Sequence, residues 1–206
     1  SANVYFGAAR VKAKETGRPH GVMLERWIPQ QPECSILLRQ VEVPPPYAGD
    51  TADAMCQVRW TGSNILTVTF SAGAVDSMIS LVGTDDHIRF DHQGPLYRIT
   101  TVAANQLTAE LDLTYPQRTP WPVGALSRAM PFEIIRKPVP SSAAPLQLPQ
   151  GAVVDLYESG TNSVSFERRQ PPNFDPNESI VVLFSPSGSV QGVGGADVCR
   201  SDPIFL

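Results

Sequence analysis

Apolar and polar positions recur with two different periods along the 206-residue chain. Between Ala2 and Thr16 (ANVYFGAARVKAKET) the spacing is helical. Val4, Ala8 and Val11 fall at i, i+4 and i+7, and Phe6, Ala9 and Ala13 widen that apolar side. Ala, Lys and Arg, all good helix formers, dominate the segment. Its stop is written out. Gly17 suits the left-handed position after a helix, and Pro19 stands where a helix cannot continue. Arg10, Lys12 and Lys14 complement the negative end of the helix dipole. The pattern predicts a helix over residues 2–17, ending in a turn that leaves His20 exposed or hydrogen-bonded locally.

Beyond Gly17 the period is two, the alternation of a strand with one face buried. Strands are expected at Gly21–Trp27, Ser35–Val43, Asn64–Phe70, Asp86–Phe90, Leu96–Val102 and Gln106–Leu113. Further strands are expected at Pro131–Arg136, Ala152–Tyr157, Val164–Phe166, Ile180–Phe184 and Ser189–Val193. Residues 92–95 (HQGP) read as a tight turn, making the central strands a meander. Two proline-rich stretches, Pro44–Pro46 and Pro138–Pro149, read as extended connections on either side of a central block. The expected fold class is α+β: an N-terminal helix followed by antiparallel sheets, with a mainly β insertion. We expect one domain over 1–206, with the insertion at 44–130, a second sheet or small barrel, and the C-terminal sheet at 131–206.

Composition supports many short strands joined by turns. Proline numbers 20 and glycine 15, while charged residues are only 17 %. The 42 % of hydrophobic residues can fill a core. Sixteen Lys and Arg against 20 Asp and Glu leave a net charge of -4, which argues against a dedicated nucleic-acid binder. No apolar run approaches the ~20 residues that span a bilayer. Cys34, Cys56 and Cys199 are widely spaced with no CxxC, which excludes zinc-ribbon and thioredoxin-type readings. Cys34 could close a loop with Cys56, Cys199 could be a partner instead, or all three could be thiols.

Candidate chemistry is sparse. The segment Asp85–His92 (DDHIRFDH) has the residue types of a zinc or manganese site, with His87 and Asp91 on one face of a strand as candidate ligands. Hairpin turn chemistry accounts for the same residues, so no metal and no cofactor is expected. There is no GxSxG elbow and no GxxxxGK[ST] loop. Two basic pairs, Arg136-Lys137 and Arg168-Arg169, are the candidate DNA contacts. Two pairs in an acidic chain neutralise few phosphates, so a nucleic-acid partner is not expected.

Three segments resemble the H-type minor pseudopilins of type II secretion. The helix-to-strand joint carries Ala9, Arg10, Ala13, Thr16, Gly17, Gly21, Val22 and Leu24. Leu148-Pro149-Gln150-Gly151 precedes a strand, and Ile180–Gly188 (IVVLFSPSG) is a strand followed by Phe-x-Pro-x-Gly. The segment between Pro44 and Met130 has no counterpart in the resemblance. The resemblance implies a pilin-like fold and a structural, non-enzymatic subunit of a type II secretion or type IV pilus assembly. Its partners would be other pseudopilin or pilin subunits. The inner membrane would be reached through an apolar helix preceding this chain, with the folded part periplasmic. Tyr5 and Phe6, near the start of the helix, would be assembly contacts. The alternatives are a DNA- or ligand-binding pilin-like module and, third, a metal-dependent enzyme using the Asp85–His92 cluster.

Overall fold

A computed structural model describes residues 1–27, 31–61, 64–111, 121, 123–161, 164–165, 179–193 and 204–205. The chain opens with α1 (Ala2–Thr16), β1 (His20–Trp27) and β2 (Gln31–Glu42). A middle stretch holds β3 (Cys56–Trp60), β4 (Ile65–Phe70), the one-turn α2 (Met78–Leu81), β5 (His87–Phe90), β6 (Gln93–Ala103), β7 (Gln106–Leu111) and β8 (Phe132–Ile135). Short strands follow: β9 (Val139–Pro140), β10 (Leu146–Gln147), β11 (Val154–Asp155), β12 (Gly160–Thr161) and β13 (Val164–Ser165). The chain closes with β14 (Ile180–Phe184), β15 (Val190–Val193) and β16 (Ile204–Phe205). The class is α+β, mostly antiparallel sheet. Two units are separable: Ser1–Val43 with Pro138–Leu206, and Pro44–Lys137.

The first unit is a helix laid on a sheet. Its main sheet runs β10-β2-β1-β14-β15, with β9 and β11 also paired to β2. Gly17 ends α1 in the left-handed conformation (φ 65°), as expected from the sequence. Phe6, Ala9 and Ala13 of α1 bury against Val22, Leu24, Leu38, Val154, Leu156, Ile180, Val182 and Phe184. Two alanines let the helix approach closely, and Phe6 fills the remaining space edge-on to Phe184, ring centroids 6.5 Å apart. At Gly21, β1 and β14 lie so close that a Cβ would strike the Val182 carbonyl oxygen. A separate three-stranded sheet runs β13-β12-β16. The stretch 138–149 is more than a connection, because β9 and β10 both add to β2.

The second unit is a closed barrel. Its strands run β3-β4-β7-β6-β5-β8. The segment leading into β8 then reaches back to β3 and closes the ring: Cys56 and Met130 exchange backbone hydrogen bonds of 2.9 Å, and the Ser127 N–H donates to the Val58 carbonyl at 2.8 Å. Closure removes the free edges of the sheet. Inside, Val58, Leu66, Val68, Ile88, Tyr97, Ile99, Leu107, Phe132 and Ile134 are fully buried. Met78 on α2 plugs the same core, while Trp60 and Trp121 pack against it from outside.

Two expectations change here. The strand around Pro131–Arg136 was expected in the C-terminal sheet. It pairs instead with β5, residue for residue from His87↔Ile135 to Phe90↔Phe132, so the middle unit runs to Lys137. The turn expected at 92–95 lies one step earlier, at Asp91-His92. Both residues have positive φ, 55° and 54°, in a two-residue loop between Phe90 and Gln93. The extended segment then continues through Gly94 and Pro95, where the β5–β6 register shifts.

Candidate functional site

The helix α1 has two apolar faces, and the structure uses only one of them. Phe6, Ala9 and Ala13 face the sheet. The stripe Val4, Ala8 and Val11, expected to be part of the buried side, lies in solvent: Val4 is 71 % and Val11 53 % exposed. Gly7 interrupts that face without a side chain, and nothing lies within reach of a Cβ there. Both stripes satisfy helical spacing, which is why periodicity did not separate them. The sheet takes the one whose small residues permit close contact.

Tyr5 and Phe6, the assembly contacts implied by the resemblance, are both engaged within their own unit. Phe6 is 8 % exposed within the core of its own unit. The Tyr5 hydroxyl donates to the Ala144 carbonyl at 2.9 Å and accepts from the Gln40 N–H at 3.1 Å, tying α1 to β2 and to the loop before β10. Neither partner adjoins it in sequence, so nothing local signalled the role.

The Asp85–His92 cluster is dispersed by the strand it sits on. His87 opens β5 with its side chain largely buried, and Asp91 stands four residues on, in the hairpin turn. At ~3.3 Å per residue that is ~13 Å, too far for one ion. Asp91 forms an exposed ion pair with Arg128 at 3.6 Å. Asp85 pairs with Arg98 at 3.2 Å and Lys137 at 3.5 Å. The buried Asp86 carboxylate accepts from the Gly83 N–H at 2.8 Å and the Lys137 N–H at 2.7 Å. Among the described residues no group of three or more His, Cys, Asp or Glu is placed to hold a metal. The candidate ligands His87 and Asp91 are not brought together.

The basic pair Arg136-Lys137 closes the barrel unit. The Arg136 guanidinium donates twice to the Pro45 carbonyl, at 3.2 and 3.0 Å, and the neighbouring Tyr47 and Ile134 exchange backbone hydrogen bonds. Lys137 reaches Asp85 through its side chain and Asp86 through its backbone. Of these two candidate DNA contacts, Arg136 thus joins the two ends of the unit and Lys137 ties its last residue to the segment before β5. Arg168 and Arg169 lie outside the described residues, as does Cys199. Cys34 and Cys56 are free thiols, so the pairing between them is not made. Cys56 is buried in the barrel core, and burial pushes its thiol up to about 12, which makes it inert at neutral pH.

His20 is the one buried imidazole of the helix–sheet unit among the described residues. It is 2 % exposed and pairs across the sheet with Glu42 and Phe184, against the local turn role expected for it. Its Nε2 has no hydrogen-bond partner. Burial lowers its pKa, Lys12 and Arg18 add to the shift, and Glu42 opposes it.

No protein-family model, curated protein or solved structure matches this chain. Among the described residues no helix is long and apolar enough to cross a membrane.

Proposed function

We propose that this chain is the folded part of a structural, non-catalytic subunit of a pilin-like assembly, akin to a minor pseudopilin of a type II secretion or type IV pilus system. In this reading the α1 helix continues N-terminally into an apolar inner-membrane anchor, and both units lie outside the cytoplasm. The observation that carries it is the unused stripe Val4-Ala8-Val11 on the helix face opposite the sheet. Covering the exposed parts of the two valines in an assembly would contribute about 1 kcal/mol each. The occupant we assign to it is the N-terminal helix of a neighbouring pilin-type subunit. Further support comes from element order, helix first and then an antiparallel sheet that carries it, and from the three segments that resemble the pseudopilin family.

The test combines cells and purified protein. Val4→Lys with Val11→Glu is expected to abolish incorporation into the assembly, read by cross-linking of the full-length protein. The same variant should leave the thermal midpoint of the purified chain unchanged, because both side chains are exposed. Normal incorporation would overturn the reading. So would an open reading frame that encodes, upstream of Ser1, neither a cleavable basic leader nor an apolar helix.

A further inference from the structure

Three serine hydroxyls converge in the turn joining β14 to β15. The Oγ atoms of Ser185, Ser187 and Ser189 stand 2.7, 2.8 and 2.9 Å from one another, a nearly equilateral triangle. The turn is held by its own backbone: the Gly188 N–H donates to the Ser185 carbonyl at 2.7 Å, and the Ser185 N–H to the Ser189 carbonyl at 2.8 Å. Three hydroxyls have three protons between them. Kept inside so tight a triangle, their hydrogen bonds are bent away from the linear geometry that makes them strong. Turned outward, the three O–H groups are free to donate to one oxygen shared between them.

Two cations overhang this turn. Gly188, between Ser187 and Ser189, is buried, and a Cβ there would meet the Lys14 Cε, with the Arg10 Nε at 3.1 Å and the Lys14 Nζ at 3.2 Å. Arg10 and Lys14 lie one turn apart on α1, and among the described residues neither has an acidic partner. The sign of the charge decides the ligand. Hydroxyl oxygens alone could accept a metal ion, but two unpaired positive charges beside them repel one. An anion instead gains three hydroxyl donors, an ammonium and a guanidinium. We propose that Ser185, Ser187 and Ser189 with Arg10 and Lys14 form a binding site for a tetrahedral oxyanion, a phosphate group in particular. The bound anion latches the last turns of α1 to the β14–β15 hairpin. The site lies wholly within the helix–sheet unit and is independent of the assembly reading.

The probe is inorganic phosphate, added to the isotope-labelled full chain at constant ionic strength and followed by amide NMR, with chloride as the control. Saturable shifts are expected at Arg10, Lys14 and residues 185–189, with half-saturation on the order of millimolar for so exposed a site. Arg10→Gln with Lys14→Gln should weaken binding about tenfold or more, the effect of losing charge-assisted contacts. Ser187→Ala, at an exposed position, should weaken it by a smaller factor while leaving the rest of the spectrum in place. The proposal fails if phosphate gives no saturable shift, if chloride produces the same shifts, or if the Arg10/Lys14 variant binds as well as the parent.

Discussion

A neutral imidazole with an unpaired Nε2 makes His20 a proton-linked weak point of the helix–sheet unit. In the unfolded chain it titrates near its ordinary value of 6.5. In the folded protein burial, Lys12 and Arg18 hold it lower. Between those two values the unfolded chain binds a proton that the folded chain refuses. Stability is therefore full above 6.5 and falls as the pH drops through that value, levelling off below the folded pKa. Urea midpoints at about pH 7.5 and about pH 5.5 should show the loss, and His20→Leu should flatten the slope over that window. An unchanged slope in the variant would assign the effect elsewhere. Neither the burial nor the pH dependence was legible at this position. Pro19-His20 reads as a turn, and what buries His20 is pairing with Glu42 and Phe184, 22 and 164 residues away by subtraction of their numbers.

At the scale of elements, local grammar was readable and long-range choice was not. The helix and its stop at Gly17, the alternation of β4 and the hairpin at Ile180–Gly188 follow from residue types within a few positions of one another. Which of two helix faces meets the sheet, which sheet takes the strand at Phe132–Ile135, and what Arg136 holds all depend on partners far away. Arg136 and Pro45 are 91 residues apart. The same limit hid the contacts of Tyr5. Its hydroxyl joins three elements at one point, so Tyr5→Phe leaves the Gln40 N–H and the Ala144 carbonyl without that partner and should cost about 1–2 kcal/mol. Phe6→Ala should cost more, about 3 kcal/mol, by opening a cavity against Phe184. Chemical denaturation reads both. If Tyr5→Phe matches the parent in stability yet blocks assembly, the hydroxyl faces a neighbour and not β2.

For the whole molecule, the decisive feature is where the barrel unit leaves the sheet and returns to it. Val41 pairs with Pro140 and Glu42 with Val139, so the chain departs from the end of β2 and comes back on the strand beside it. The helix–sheet unit thus sees residues 44–137 as an oversized hairpin loop. The barrel unit in turn closes on itself, through Cys56–Met130, Tyr47–Ile134 and the Arg136–Pro45 clasp, with a hydrophobic core of its own. A loop whose two ends already lie on paired strands can be shortened to a two-residue turn without rearranging the sheet. Replacing 44–137 with Asn-Gly should therefore leave a cooperatively folding helix–sheet protein whose Tyr5 and Phe6 contacts persist. Residues 44–137 expressed alone should likewise unfold in one transition by circular dichroism. The Pro44–Pro46 run marked one end of this division in the sequence. The proline-rich stretch from Pro138 marked the other end, yet the strand before it was placed with the C-terminal sheet, because β8 joins the barrel through pairing with β5, more than 40 residues earlier. A shortened protein that lost its cooperative transition would mean that the helix–sheet unit draws its stability from the barrel. Retention of both transitions would place the boundary at Val43 and Pro138, and would make the barrel a separable module inserted in the chain between β2 and β9.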